Sequence, residues 1–596
     1  MRIGVDTGGT FTDFVFWDGR RLRTLKIPST PADPSTAILA GLETAREVVH
    51  GSTVATNALL ERKGSRLAFV TTAGFEDLLE IGRQNRPSLY DWSATRPEPL
   101  APRELRFGLK ERMLASGEVE MALTAEAADR LARELKAADV ESVAVCLLHS
   151  YANPAHERLV GERLRAAGLD VSLSSEISPE YREYERASTT AVNAYVAPLM
   201  RRYLGELERR ADAQVRVFQS SGGVIPASVA GVQAVHTVLS GPAGGLVGAV
   251  QAARAAGSER VISFDMGGTS TDVALYDGAL PFTNETELGG CAIRVSMLDI
   301  HSVGAGGGSI AYLDSGGALR VGPHSAGAVP GPACYGVGDE ITVTDANALL
   351  GRIDPERFLG GAMRLDLERA RSRMTALAAQ AGSSVEELAR AILDVANSNM
   401  ERAIRRISVE RGRDPRDFAL VSFGGAGGQH ACELADRLEM RTVSVPAHAG
   451  VLSALGMLGV AVSREFSAST GGQDVEAVFA DLERRAVEEM REAGFESIAI
   501  ERHCDLRYTG QSYELRLPWR DRDRFEEHHR RAYGYAHQGR ASEIVTARVV
   551  ASAGRADENL WLAASAEGNP DYLSVYLPAG WRATPGRAGG QVLRRD

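Results

Sequence analysis

Two eight-residue stretches, DTGGTFTD at 6–13 and DMGGTSTD at 265–272, carry residue types suited to phosphate chemistry. A glycine pair lets the backbone come close to a ligand. The amides it exposes, with threonine hydroxyls beside them, donate to phosphate oxygens. An aspartate cannot serve phosphate directly, because two anions repel. It suits Mg2+ or its waters, and the metal then bridges to the phosphates. Two such loops, facing each other from two similar domains, would clamp a triphosphate from both sides. On this reading Asp6 and Asp265 are the metal-facing, catalytic carboxylates. Thr7, Gly8, Gly9, Thr10, Thr12 and Asp13 form one wall, and Gly267, Gly268, Thr269, Thr271 and Asp272 the other. Glycine-turned β-hairpins would explain either loop alone, but not a matched pair 259 residues apart. The chain holds no GxxxxGK[ST] motif, which excludes a P-loop NTPase.

The elements that must position these loops read as strand, turn, strand. Ile3 and Val5 precede the first turn and Phe14, Val15 and Phe16 follow it; VISF and VAL flank the second. Residues 123–140 predict a helix with Leu131 and Leu135 on one face, leading into a buried strand from Val143. Ser384 and Glu387 have capping-box spacing and start a long helix ending at Gly412. Residues 420–431 predict a strand, a glycine loop and a helix start. Beyond about residue 467 the chain is more charged, with a helix in EAVFADLERRAVEEMREAG and strands in DLRYTGQSYELRLP. The stretch at 554–574 reads as a loop or linker.

A chain of 596 residues implies two to four domains. A formal charge of −11 argues against nucleic-acid and anionic-membrane surfaces, though not against an anionic ligand held by amides. Five scattered cysteines, at 146, 291, 334, 432 and 504, form no CxxC pair and fit a reducing compartment. No stretch reaches the roughly 18–20 apolar residues of a membrane span, and the N-terminus lacks signal-peptide features. A cytoplasmic protein is the expectation.

The two loops, SGPAGGLVGA at 240–249 and FGGAG at 423–427 resemble the actin, sugar-kinase and heat-shock-protein-70 ATPase superfamily. There they would be phosphate-1, phosphate-2, connect-1 and the adenosine loop, with connect-2 at 449–459. More narrowly the chain resembles the hydantoinase A/5-oxoprolinase family, also called N-methylhydantoinase A. The residues that carry this are HGSTVATNALLERKG (50–64), AVCLLHSYANPAHE (144–157), SPEYREYERASTTAVNAYVAP (178–198), SGPAGG (240–245), DIHSVGAGGGSIA (299–311), GPACYG (331–336) and DLRYTGQSYEL (505–515). The resemblance implies an α/β fold of two actin-like, ribonuclease H-like ATPase domains around a nucleotide cleft, with a C-terminal α+β accessory region. The boundaries are 1–185, 186–464 and 465–596. It adds Ser240, Gly241, Gly244, Gly424, Gly425, Ala426 and Gly427 to the nucleotide site. It implies ATP and Mg2+ as cofactors. The activity implied is ring opening of a hydantoin, 5-oxoproline or related lactam after phosphorylation of its carbonyl. The acetone-carboxylase branch would carboxylate a ketone instead, and an ATPase switch without a metabolic substrate is a reading from another class. A separate hydantoinase B-type subunit is the implied partner, in a hetero-oligomer.

One departure stands out: GGAGGQHA at 424–431 where the family usually reads GGAGPxHA. Gly428 and Gln429 bear on base preference through added backbone freedom. His50, Thr53, Thr56 and Asn57 suit a substrate loop; His50 as a helix cap is the competing reading. Asp299 and His301 are candidates for substrate or metal, or for ordering their loop; two ligands are too few for zinc. His149, His430 and His448 read as structural. Arg402, Arg405, Arg406 and Arg411 read as a solvated face, or with one of them near nucleotide. Neither HExxH nor GxSxG occurs, which argues against classical metallo- and serine hydrolases.

Overall fold

A computed structural model of the chain describes all residues except 9–10, 31–33, 43–44, 87, 89, 362, 555–556, 567–574 and 587–588. The opening motif folds as expected from its apolar flanks. Strand Arg2–Thr7 pairs antiparallel with Phe11–Trp17, and Ile3, Val5, Phe14 and Val15 are fully buried. Its echo forms the same hairpin from Arg260–Met266 and Thr271–Asp277. The registers match: Asp6 lies opposite Asp13, and Asp265 opposite Asp272.

The likeness extends beyond the hairpins. Leu22–Pro28 pairs antiparallel with the second strand of the first hairpin, and Glu47–Gly51 then Gln214–Phe218 continue parallel from its first strand. Around the second hairpin His301–Val303 takes the antiparallel place, and Ala419–Phe423 then Thr442–Val445 the parallel ones. Two mixed sheets thus share one strand order. A four-stranded parallel sheet is inserted into the first half, in the order Asp170–Leu173, Ser142–Cys146, Leu67–Thr72, Arg106–Leu109. Helices Ala125–Ala137 and Ala155–Ala166 cover it, and Leu131 and Leu135 are buried as the spacing predicts.

Two helices cross between the sheets, Ser240–Ala255 and Leu452–Leu458. They touch at backbone distance. A Cβ on Gly456 would stand 2.1 Å from the Gly244 oxygen, and one on Gly248 2.7 Å from that of Leu452. Small residues are therefore a packing requirement at this crossing.

The structure departs from the sequence reading in several places. The boundary at 185/186 falls inside helix Glu183–Ala211, and the next strands, Gln214–Phe218 and Val224–Pro226, belong to the first sheet. The region 465–596 forms no sheet of its own among the described residues. Val462–Ser469, Ser542–Ala553, Ile498–Tyr508 and Leu515–Pro518 extend the first sheet, while Gln591–Arg595 and Trp581–Pro585 extend the second. Unpaired strand edges offer amides and carbonyls that need partners, and these strands supply them. Within the expected linker, Glu558–Ala566 is a helix, because Leu560 and Ala564, four residues apart, bury against the core. The long helix has its Ser384–Glu387 capping box but ends at Ile407; a 3-10 turn, Val409–Arg411, then leads to Gly412, whose φ is +69°. All five cysteines are buried and free. Among the described residues no helix is long and apolar enough to cross a membrane.

Candidate functional site

The two glycine turns close in the same way. The Gly8 amide donates to the Phe11 carbonyl at 3.0 Å, and the Gly267 amide to that of Ser270 at 3.0 Å. Both turns open onto one cleft of about 750 Å3. The N-terminal turn of helix Ser240–Ala255 and the glycine turn after Ala419–Phe423 complete its walls. Gly424 must be glycine: its φ is +77°, and a Cβ there would lie 2.4 Å from the Asp265 carboxylate.

Besides Asp354, four carboxylates at the two turns line this cleft: Asp6, Asp13, Asp265 and Asp272. Burial and then the neighbouring Asp13 push Asp6 up to about 7. Burial, then Asp272, Asp6 and Asp13, hold Asp265 well above the usual carboxylate range. Burial lifts Asp272 to about 6, against a hydrogen bond from Ser302. Asp13 is raised by burial, opposed by the Lys26 ammonium paired with it. One lysine cannot neutralise four acids, so the site favours added positive charge. The Thr7 hydroxyl is buried on this wall without a hydrogen-bond partner. Among the described residues no group of three metal-ligating side chains occurs. A magnesium ion would therefore have one or two carboxylates here, with water and phosphate as its remaining ligands, its usual mode of binding. The donor set fits that ion.

The structure brings most of the expected site residues together. Asp6, Thr7, Gly8, Asp13, Thr53, Thr56, Ser240, Gly241, Asp265, Gly267, Gly268, Thr269, Asp272, Gly424, Gly425 and Ala426 line the cleft. Gly9 and Thr10 lie outside the described residues. Thr12 and Thr271 do not line it: each points inward from its strand, to the Ser29 hydroxyl at 3.0 Å and to the Ala305 carbonyl respectively. Gly244 spaces the crossing helices, and Gly427 lies in a buried 3-10 turn. His50 lines no part of the cleft and caps no helix. It is buried behind the loop, with Nε2 2.8 Å from the Tyr203 hydroxyl and Nδ1 3.4 Å from the Val5 carbonyl. Burial pushes it down to about 4, so it is a neutral structural group. Asn57 faces solvent from helix Val54–Leu60, 3.4 Å from the Thr53 hydroxyl. Thr56 accepts the Leu239 amide at 3.0 Å, which ties its helix to the start of Ser240–Ala255. Asp299 and His301 line a neighbouring cavity, with Asp299 paired to Arg411. His430 is structural as expected, 2.7 Å from Asn397 and 3.1 Å from Asn347.

Sequence reasoning missed Lys26, which the register places opposite Asp13; the matching position opposite Asp272 is Ser302. A signal existed in the strand spacing, but none in the motif itself. It also missed that 304–309 docks on the second loop: the Gly307 and Gly308 amides donate to the Gly267 and Gly268 carbonyls at 3.0 and 2.7 Å. Tyr335 and Phe358, 5.6 Å apart, form an aromatic end of the cleft. Gln429 lines it as well, and the Gly428 carbonyl accepts the Tyr576 amide at 3.1 Å, which restrains the freedom expected from that glycine.

The family model described as "Hydantoinase/oxoprolinase" matches residues 186–465, and its N-terminal region model matches residues 2–168. The chain is 36% identical to caprolactamase subunit alpha of Pseudomonas jessenii, over 91% of this chain and 86% of that one. It is 34% identical to the 5-oxoprolinase of Saccharomyces cerevisiae over 90% of its own length, but spans only 48% of that protein. Among solved structures, the ATP-dependent caprolactamase from Pseudomonas jessenii superposes with a TM-score of 0.85 at 31% identity, covering all of both chains. Nucleotide-free acetone carboxylase superposes with a TM-score of 0.79 at 25% identity, over 100% of this chain and 99% of that one. The mixed-sheet α/β fold is common to all three structures.

Proposed function

Because the chain belongs to the hydantoinase/oxoprolinase family, we propose that it is an ATP-dependent hydrolase subunit that activates the carbonyl of a cyclic amide, such as a hydantoin, 5-oxoproline or a related lactam. The observation that carries this reading is the pair of hairpins in matched register, Asp6 opposite Asp13 and Asp265 opposite Asp272, opening on one acidic cleft. The two sheets with one strand order are the two actin-like ATPase halves, with nucleotide between them and the crossing helices as their hinge. The first half draws on 1–51 and 214–226, the second on 260–303 and 419–445, and strands from 465–596 brace both.

A lactam is a poor electrophile because its nitrogen lone pair is delocalised into the carbonyl. In the proposed reaction its oxygen attacks the γ-phosphorus of ATP, the bond from that phosphorus to the β–γ bridging oxygen breaks, and ADP leaves. The ring carbon becomes imidate-like with phosphate as leaving group. One water then attacks that carbon and the ring C–N bond breaks, the nitrogen taking a proton from that water, which leaves an acyl phosphate. A second water hydrolyses the acyl phosphate to the carboxylate, and free phosphate departs. Such transfer is mostly positioning and charge neutralisation. With the Gly8 and Gly267 amides committed to closing their turns, the Gly268 and Thr269 amides hold phosphate oxygens, the Thr7 and Thr269 hydroxyls donate to them, and Lys26 balances charge on the first wall. Asp6 and Asp265 would hold a magnesium ion, directly or through its waters, and the ion would supply the positive charge that offsets phosphate against these carboxylates. The chain's relatives include a subunit alpha and proteins about twice its matched length, which supports a second, B-type polypeptide acting after activation.

A second reading, a ketone carboxylase subunit, draws on the full-length superposition with acetone carboxylase. Mg-ATP hydrolysis across hydantoins, 5-oxoproline, lactams, and ketones with bicarbonate, with and without the co-expressed partner, tests both. Phosphate release driven by a cyclic amide supports hydrolysis. Release that needs ketone and bicarbonate supports carboxylation, and release indifferent to every substrate defeats both.

A further inference from the structure

We propose that the cavity beside the cleft binds the ring to be activated, and that Arg406 in its wall selects rings bearing a carboxylate. This inference rests on the proposed function and names the substrate class for it. The cavity measures about 300 Å3 and shares Leu239, Pro242 and Ser302 with the nucleotide cleft. The Ser302 hydroxyl donates to the Asp272 carboxylate, so the shared wall is the rim of the second phosphate turn. An oxygen that is to receive a phosphoryl group must lie close to it and in line. A space that shares this rim meets the requirement; one elsewhere on the surface does not.

The charges in the cavity then decide what it holds. The Asp299 carboxylate is taken by Arg411, through both terminal nitrogens. Glu285 is held by Arg182 at 2.7 Å and by the buried Arg294. Both acids are thus committed. Arg406, one residue before the end of helix Val385–Ile407, also lines the cavity and makes no ion pair among the described residues. Burial, then the charges of Arg406 and Arg411, keep His301 below its usual range. The imidazole is therefore a neutral donor or acceptor for a ring amide, not a second cation. One guanidinium remains uncompensated beside a polar space large enough for a five- or six-membered ring. A guanidinium pairs with a carboxylate through two parallel hydrogen bonds, which fixes orientation as well as charge.

The test is calorimetric binding to the full chain, saturated with a non-hydrolysable ATP analogue and magnesium. Two matched pairs are compared: 5-oxoproline with 5-oxoprolinamide, and hydantoin-5-acetic acid with its amide. The acid of at least one pair binds about ten- to a hundredfold tighter than its amide, the loss expected for one charge-assisted contact. Arg406→Gln removes that preference and Arg406→Lys restores part of it. Affinity for the analogue, measured in the same samples, reports whether fold and cleft are intact. Equal binding of acid and amide, no ring binding with nucleotide bound, or an acid preference that survives Arg406→Gln overturns the inference. Absence of nucleotide binding in the wild-type chain overturns instead the function on which it rests.

Discussion

Replacing Asp6 by Asn should make the ligand-free chain more stable while disabling it. The Asp6 carboxyl is raised from 3.8 to about 7 by burial and by Asp13. A tenfold change in proton affinity corresponds to about 1.4 kcal/mol, so holding this group ionised in the fold costs about 4 kcal/mol above neutral pH. Because the folded value is raised, the cost is absent below about pH 4 and grows through the window from 3.8 to about 7. Asn removes the charge but brings an amide with incomplete hydrogen bonding, which reduces the gain to about 1–3 kcal/mol. The assay is urea unfolding without nucleotide and with a chelator, at about pH 4.5 and about pH 7.5. The variant should gain stability over the wild type at the higher pH and little at the lower. Added Mg-ATP should stabilise the wild type strongly and the variant weakly, with ATP turnover lost in the variant. A variant no more stable than wild type at the higher pH, or one that Mg-ATP stabilises equally, would refute the reasoning.

Single contacts elsewhere are testable in the same way. Gly456→Val places side-chain atoms where even a Cβ stands 2.1 Å from the Gly244 oxygen; it should cost more than about 3 kcal/mol by forcing the helices apart, read as a lowered unfolding midpoint and weaker nucleotide binding. Lys26→Met leaves Asp13 without its ammonium; the rate of phosphate release should fall about ten- to a hundredfold, measured with saturating Mg-ATP. Tyr203→Phe removes the His50 contact and should cost about 1 kcal/mol in stability without changing the KM for ATP, since His50 lies behind the loop. Arg548→Met strands the buried Asp505 and leaves Glu180 with Arg294 and Glu465 with Arg516 as their remaining partners; it should destabilise by about 3–5 kcal/mol, seen in urea unfolding.

The site was legible in the sequence where backbone chemistry dictates residue type. Aspartate, paired glycines and threonine in a turn between apolar runs announce themselves, and their repetition carries the fold of both halves. Side-chain direction was not legible within the motif. Thr7 lines the cleft but Thr12, paired across the hairpin with it, turns to Ser29. His50 looked chemical by type and proved structural, because its strand runs behind the loop and buries it against Tyr203. Lys26 looked ordinary, because its role comes from lying across the sheet from Asp13, a pairing set by the turn between the strands. The C-terminal strands read as a separate unit because alternation gives strandness but not the partner. Their pairing with strands from residues 224 and 442 onward is long-range information that no local window holds.

The central claim is that both turns hold one nucleotide between them. Equilibrium binding of a fluorescent non-hydrolysable ATP analogue with magnesium, to the wild-type chain and to Asp6→Ala and Asp265→Ala, tests it most directly. The account predicts magnesium-dependent binding that either substitution alone weakens at least about tenfold, since a clamp fails when one jaw is removed. If one variant binds as the wild type does while the other does not, a single turn holds the nucleotide and the two-sided clamp is contradicted.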